Sequence, residues 1–170
     1  MIKKTLRTLP LFLFVLLTAN LHAQAKLGIY GTVGGEKSGL ANEGWTGAGT
    51  FGLYYGVTHF GPLALSVDAR GDLSTNINSA IFGPRLALHV PVFPLKPYVE
   101  FLLGASSYST QNNTPKNSTS FTYRYVGGID TAILPRIDWR VVDFSYSGGI
   151  SQFNTSINPN TLSTGLVLRF

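Results

Sequence analysis

Beyond residue 25 the chain carries two histidines, His59 and His89, and no cysteine, so few side chains suit catalysis. Nucleophilic acyl transfer needs a base within hydrogen-bond reach of a serine, and an acid to orient that base. His59 runs into Phe60-Gly61 and His89 into Val90-Pro91, so neither belongs to a His-x-Ser pair facing one side of a strand. Both read as polar residues beside turns, and no catalytic residue is expected. The carboxylates Asp68, Asp72, Glu100, Asp130 and Asp143 are the other candidates, and each has basic neighbours. A lone ion in a tight interior is too costly to keep, so these acids should be paired rather than hydrolytic or metal-binding. Gly31-Thr32-Val33-Gly34-Gly35 lacks the following Lys-Ser/Thr of a phosphate loop. No metal or cofactor is expected.

The elements that must hold these residues are strands. Apolar and polar residues alternate with period two in segment after segment, and helical periodicity is weak. Phe51, Leu53, Tyr55 and Val57 oppose Thr50, Gly52, Tyr54, Gly56 and Thr58; Leu63, Leu65, Val67 and Ala69 oppose Ala64, Ser66, Asp68 and Arg70. Phe82, Leu86, Leu88 and Val90 oppose Gly83, Arg85, Ala87 and His89, while Val99, Phe101, Leu103 and Ala105 oppose Tyr98, Glu100, Leu102 and Gly104. Phe121, Tyr123, Tyr125 and Ile129 oppose Thr122, Arg124, Gly128 and Asp130. With noisier segments at 27–34 and 136–146 and a last one at 161–170, eight strands are expected. Connections should be long at 35–44, 71–79, 107–119 and 147–160, and short at 59–62, 91–94 and 134–135. Pro84 should mark a bulge or local break. The parity change between Trp139 and Phe144 calls for a bulge near Val141-Val142 that turns Asp143 inward.

Composition says what surrounds the strands. The chain has 170 residues, 19 glycines and only 12% charged residues, about half the usual share of a soluble domain. A basic start at Lys3, Lys4 and Arg7, an apolar run from Leu9 to Leu17 and Ala23-Gln24-Ala25 read as a secretory signal peptide over 1–25, cleaved after Ala25. Its loss leaves ten basic and eight acidic residues, so the formal +5 becomes +2 and is no nucleic-acid footprint. No other apolar stretch would span a bilayer as a helix. A membrane-spanning form of 26–170 must therefore be a closed barrel.

The charged residues Asp68, Arg70, Arg85, Glu100, Arg124, Asp130 and Arg169 sit on the face opposite the apolar band. On a soluble barrel or sandwich that face would be solvent, dense in Lys and Glu. Here it is sparse, glycine-rich and mixed in sign, as befits a narrow lumen. Asp130 should fall opposite Arg140, and Arg85 diagonal to Glu100. The expected result is a structural ion-pair network of Asp68, Arg70, Arg85, Glu100, Arg124, Asp130, Arg140, Asp143 and Arg169 that plugs the barrel. Tyr54 and Tyr98 should narrow it further, and eight strands leave no porin-sized channel.

Ser163-Thr164-Gly165-Leu166-Val167-Leu168-Arg169-Phe170 fits polar-x-Gly-x-x-hydrophobic-x-aromatic. It resembles the terminal assembly signal of bacterial outer-membrane barrels, carried here by Ser163, Gly165, Leu168 and Phe170. The chain from 26 onward is similar in architecture to the small eight-stranded family that includes OmpA-type barrel domains and OmpX-like proteins. That resemblance implies an all-β, up-and-down transmembrane barrel in the bacterial outer membrane, a monomer with both mature termini periplasmic. Its partners would be lipid, the barrel-assembly machinery during insertion and an extracellular partner for the loops; no peptidoglycan-binding domain is expected after Phe170. A non-enzymatic role in surface interaction, adhesion or envelope integrity follows. The alternative is a lipid-modifying enzyme or small-solute transporter that uses the lumen.

Overall fold

The computed structural model describes residues 26–39, 44–74, 77–89, 94–108, 118–152 and 155–170; the expected signal segment with Ala23 and Ala25 lies outside the described residues. Eight long antiparallel strands close into a barrel: β1 (Leu27–Lys37), β2 (Thr46–Phe60), β3 (Leu63–Ser74), β4 (Ile77–Leu88), β5 (Leu95–Tyr108), β6 (Ser118–Leu134), β7 (Ile137–Gly148) and β10 (Asn160–Arg169). Each pairs with its neighbour in chain order, and β1 closes on β10 from Gly28 opposite Arg169 to Lys37 opposite Asn160. A small hairpin, β8 (Ile150–Gln152) and β9 (Thr155–Ile157), lies between β7 and β10. Leu27 N–H donates to Phe170 O at 3.2 Å and Phe170 N–H to Leu27 O at 2.8 Å. The ends of the barrel therefore meet on one rim, together with the turn at Gly61 (φ 60°) and the turn between Leu134 and Ile137. Closure leaves these eight strands no free edge, the condition a sheet must meet in hydrocarbon.

Strand pleat then sorts the side chains. Ile29, Leu53, Phe82, Val99, Tyr125, Trp139, Phe144 and Leu166 point outward and are exposed. Every described acidic residue, Glu36, Asp68, Asp72, Glu100, Asp130, Asp138 and Asp143, is buried inside. The only clustered apolar lining of the lumen among the described residues is Ile81, Ala87, Tyr98, Leu102 and Val126. This is a barrel turned inside out relative to a soluble one, oily without and ionic within.

Glycines make the interior tight enough to fill. Tyr30 faces Gly52, Tyr54 faces Gly28 and Tyr98 faces Gly128, each pair directly across a ladder. A Cβ on any of these glycines would collide with its partner's ring.

Two irregularities answer the sequence. In β7 the register shifts so that Ile129 pairs Val142 while Asp130 pairs Arg140, which leaves Val141 as the bulged residue and turns both Arg140 and Asp143 inward. On the outer face Thr164 caps this bulge: its hydroxyl donates to Arg140 O at 2.9 Å and accepts from Trp139 Nε1 at 3.0 Å. At Pro84 there is no bulge. The β4–β5 register is the same at Phe82–Leu103 and at Arg85–Glu100, and pairing lapses only at Gly83 and Pro84, where the ring nitrogen has no hydrogen to donate. The lapse borders a shallow apolar recess on the outer wall, lined by Leu65, Pro84, Leu86, Val99, Phe101 and Tyr125.

The strands outrun expectation, and the supposed long connection at 71–79 is the clearest correction. β3 reaches Ser74 and β4 begins at Ile77. Asp72 and Ser79 look like loop residues because they are polar, but they face the lumen, where Ser79 Oγ donates to Asp72 Oδ2.

Candidate functional site

The lumen's charges fall into three levels. In the middle, strands β3 to β7 converge on one closed circuit. Arg70 contacts Glu100 and Asp143, both at 3.0 Å; Arg85 contacts Glu100 at 3.1 Å and Asp130 at 2.9 Å; Arg140 contacts Asp130 at 3.0 Å and Asp143 at 3.3 Å. Followed round, guanidinium and carboxylate alternate through six residues and return to the start with zero net charge. Alternation gives each ion two partners of opposite sign, the condition under which burial of charge is tolerable.

Tyrosines fill the spaces between the arginines. The Arg85 guanidinium lies 4.2 Å from the Tyr54 ring centre and 4.4 Å from that of Tyr98. Arg140 lies 4.1 Å from Tyr30 and 4.6 Å from Tyr98. Planar guanidinium over a ring face is the cation–π geometry, strengthened where water is excluded. The phenols also bond: Tyr98 donates to Asp143 and Tyr30 to Asp68 Oδ1 at 2.7 Å, while Arg70 Nε donates to Tyr30. Ions and rings therefore interleave across the middle of the barrel.

Toward the rim opposite the termini, Asp72 is the acceptor. It takes bonds from Thr50 at 2.6 Å, from Ser79 and from Arg124, whose Nε donates to Ser147 at 2.6 Å. Glu36 accepts from Ser74 at 2.8 Å. At the terminal rim Asp138 sits between Lys96 at 2.8 Å and Arg169 at 3.0 Å.

Of the expected network, Arg70, Arg85, Glu100, Asp130, Arg140 and Asp143 come together in the circuit. Arg124 and Arg169 belong to the outer levels instead, and Asp68 stands beside the circuit without an ion pair. Glu100 is directly opposite Arg85, not diagonal to it. Sequence reasoning missed Tyr30, Glu36, Lys96 and Asp138. Parity was the available signal, since Tyr30 shares it with Thr32 and Asp138 with Arg140. His59, next to last in β2, lies opposite Ala64 and His89 lies just past β4, its N–H on Pro62 O at 2.7 Å, both at the terminal rim. Among the described residues no three His, Cys, Asp or Glu side chains are grouped to hold a metal.

The last strand, which carries the assembly-type motif, is the seam of the wall. Ser163 Oγ donates to Thr32 Oγ1 at 3.1 Å, and a Cβ at Gly165 would strike the β1 backbone at Gly31 and Thr32. Leu168 and Phe170 point outward.

The sequence matches no protein-family profile and no curated protein. Solved structures do match. Neisserial surface protein A superposes with a TM-score of 0.56 at 17% identity, covering 85% of this chain and 96% of that one. The outer membrane enzyme PagL gives 0.53 at 16% identity, over 84% and 99%. A de novo designed transmembrane β-barrel gives 0.53 at 18% identity, over 86% and 96%. The fold is thus that of the small eight-stranded outer-membrane barrels. A surface protein, an enzyme and a designed chain share it, so activity has to be argued from the site.

Proposed function

We propose that this chain is a non-enzymatic outer-membrane barrel whose lumen is a permanent ionic plug and whose segments at the rim opposite the termini form an extracellular interaction surface, serving adhesion or envelope integrity. The observation that carries this reading is the closed circuit of Arg70, Glu100, Arg85, Asp130, Arg140 and Asp143, which ties five strands together across the bore. A catalytic carboxylate or a solute path needs polar groups free to meet substrate or water, and the six ions of this circuit are spent on each other. In this reading the signal segment 1–25 is removed after Ala25, and both mature termini face the periplasm. The barrel-assembly machinery reads Ser163, Gly165, Leu168 and Phe170, and the barrel works as a monomer.

The test has two arms. The folded protein, extracted from outer-membrane fractions, should migrate faster on a gel before heating than after, and should give no steady conductance in planar bilayers. Replacing residues 40–43 and 109–117 with Gly-Ser segments should leave that gel behaviour intact while abolishing binding of cells or purified barrel to host-type surfaces. Steady conductance, or release of acyl chains from lipid by the purified barrel, would refute the plug reading.

A further inference from the structure

Charge is unevenly placed along the bore. At the level away from the termini Glu36 and Asp72 stand against Arg124, whereas at the terminal rim Lys96 and Arg169 stand against Asp138, the one acid there among the described residues. The first level is net negative and the second net positive, with the closed circuit between them. Two histidines join the positive end. The register of β2 shifts at Val57, so His59 lies opposite the buried Ala64 and shares its inner face. His89 continues the β4 ladder onto Pro62 O, and the charged groups that act most strongly on it are Lys96, Arg85, His59 and Arg169, all basic. Lys26, whose carbonyl accepts Gly56 N–H, and Arg136, whose carbonyl accepts Arg169 N–H, are exposed on the same rim.

The two inner cations keep donors in reserve. Lys96 Nζ gives Asp138 Oδ2 one bond at 2.8 Å, out of the three an ammonium can make. Arg169 Nη2 lies 3.0 Å from Asp138 Oδ1, but this contact lacks hydrogen-bond geometry: Asp138 Oδ1 and Arg169 Nε are both buried without a hydrogen-bond partner among the described residues. Ammonium and guanidinium heads thus flank a single carboxylate at the mouth, with an imidazole beside them. Such donors, converging under a surplus of positive charge, suit an anion with several oxygens. A phosphate monoester, which carries close to two charges at neutral pH, gains more from that surplus than chloride or a carboxylate does.

We infer that the terminal mouth of the bore is an anion site for a phosphate group, held between Lys96 and Arg169 with His89 as a further donor. The group can arrive on a soluble molecule or on a lipid headgroup, and the chemistry of recognition is the same. Steady conductance would refute the plug reading and leave this site standing.

The experiment folds the barrel with isotopically labelled histidine in a phosphate-free maltoside detergent and titrates it with inorganic phosphate, replacing chloride at constant ionic strength and fixed pH. The ring signals of His59 and His89 should shift saturably. Lys96→Gln should weaken the affinity about tenfold, the worth of one charge-assisted hydrogen bond, while Lys37→Gln at the opposite rim should leave it unchanged. Anion selectivity in wild type needs no variant to fold: phosphate should act at concentrations where acetate does not. Nanodiscs containing phosphatidic acid, compared with phosphatidylcholine alone and with no free phosphate, separate the sources. Histidine shifts there would support the site with a lipid-borne ligand, and shifts with inorganic phosphate alone would support it with a soluble one. A response that never saturates, that is equal for phosphate and acetate, or that survives Lys96→Gln unchanged would overturn the assignment, as would silence in both media.

Discussion

Tyr98 lies over Gly128, its direct partner across the β5–β6 ladder, in space that a Cβ would occupy. The glycine lets the ring lie flat, and the flat ring reaches Asp143 with its hydroxyl while covering Arg85 and Arg140. Gly128→Ala should lift the ring and cost about 1–3 kcal/mol, as overpacking does. Gly127→Ala, next door with open space around it, should be nearly neutral. Urea unfolding midpoints in detergent distinguish the two.

Removing one arginine from the circuit should hurt less than removing an isolated buried partner, because each orphaned carboxylate keeps its other guanidinium. Arg140→Leu leaves Asp130 on Arg85 and Asp143 on Arg70. A loss of about 3 kcal/mol is expected, the low end for breaking a buried pair. Combining it with Arg85→Leu strips Asp130 of both circuit partners and should cost more than the sum of the single changes. A double-mutant cycle on unfolding free energies measures that excess.

Thr164 should matter although it faces lipid. Thr164→Val removes the acceptor of Trp139 Nε1 and the hydroxyl donor to Arg140 O, two hydrogen bonds at the bulge. The expected cost is about 1–3 kcal/mol, with Thr164→Ser close to wild type. The temperature at which the compact gel form is lost checks this.

Phe170 separates assembly from stability. Its backbone bonds with Leu27 survive Phe170→Ser, and its side chain packs outward. Insertion assisted by the assembly machinery should slow several-fold, while the urea midpoint of barrel already folded should barely move. Equal loss in both measurements would make the aromatic merely structural.

Parity carried most of what was legible. It places Arg70, Arg85, Glu100 and Asp130 on one face, and the change of phase between Trp139 and Phe144 predicts a bulge near Val141-Val142, where the structure has it at Val141. Parity says nothing about height, however. Which acid meets which arginine across the bore depends on how far each strand is staggered around the wall, so the single network that parity predicts divides into levels, with Arg124 on Asp72, Arg169 on Asp138 and Asp68 without an ion pair. Polarity misled at Asp72 and Ser79, since inward positions of an inverted barrel have the composition of surface loops. Tyr30 was hidden by the glycines around it, which are the residues that make room for its ring.

Val141 acts on β7 as an inserted base acts on a reading frame. Everything on that strand beyond it is out of phase with everything before, and both halves make sense only because the extra residue is there. Deleting it would send Phe144 and Tyr146 into the bore and Asp143 into the acyl chains, a larger disruption than most substitutions in the protein. A relative lacking that one residue must carry the opposite alternation on one side of the gap, so the length of β7 and its pattern of oily positions can change only together.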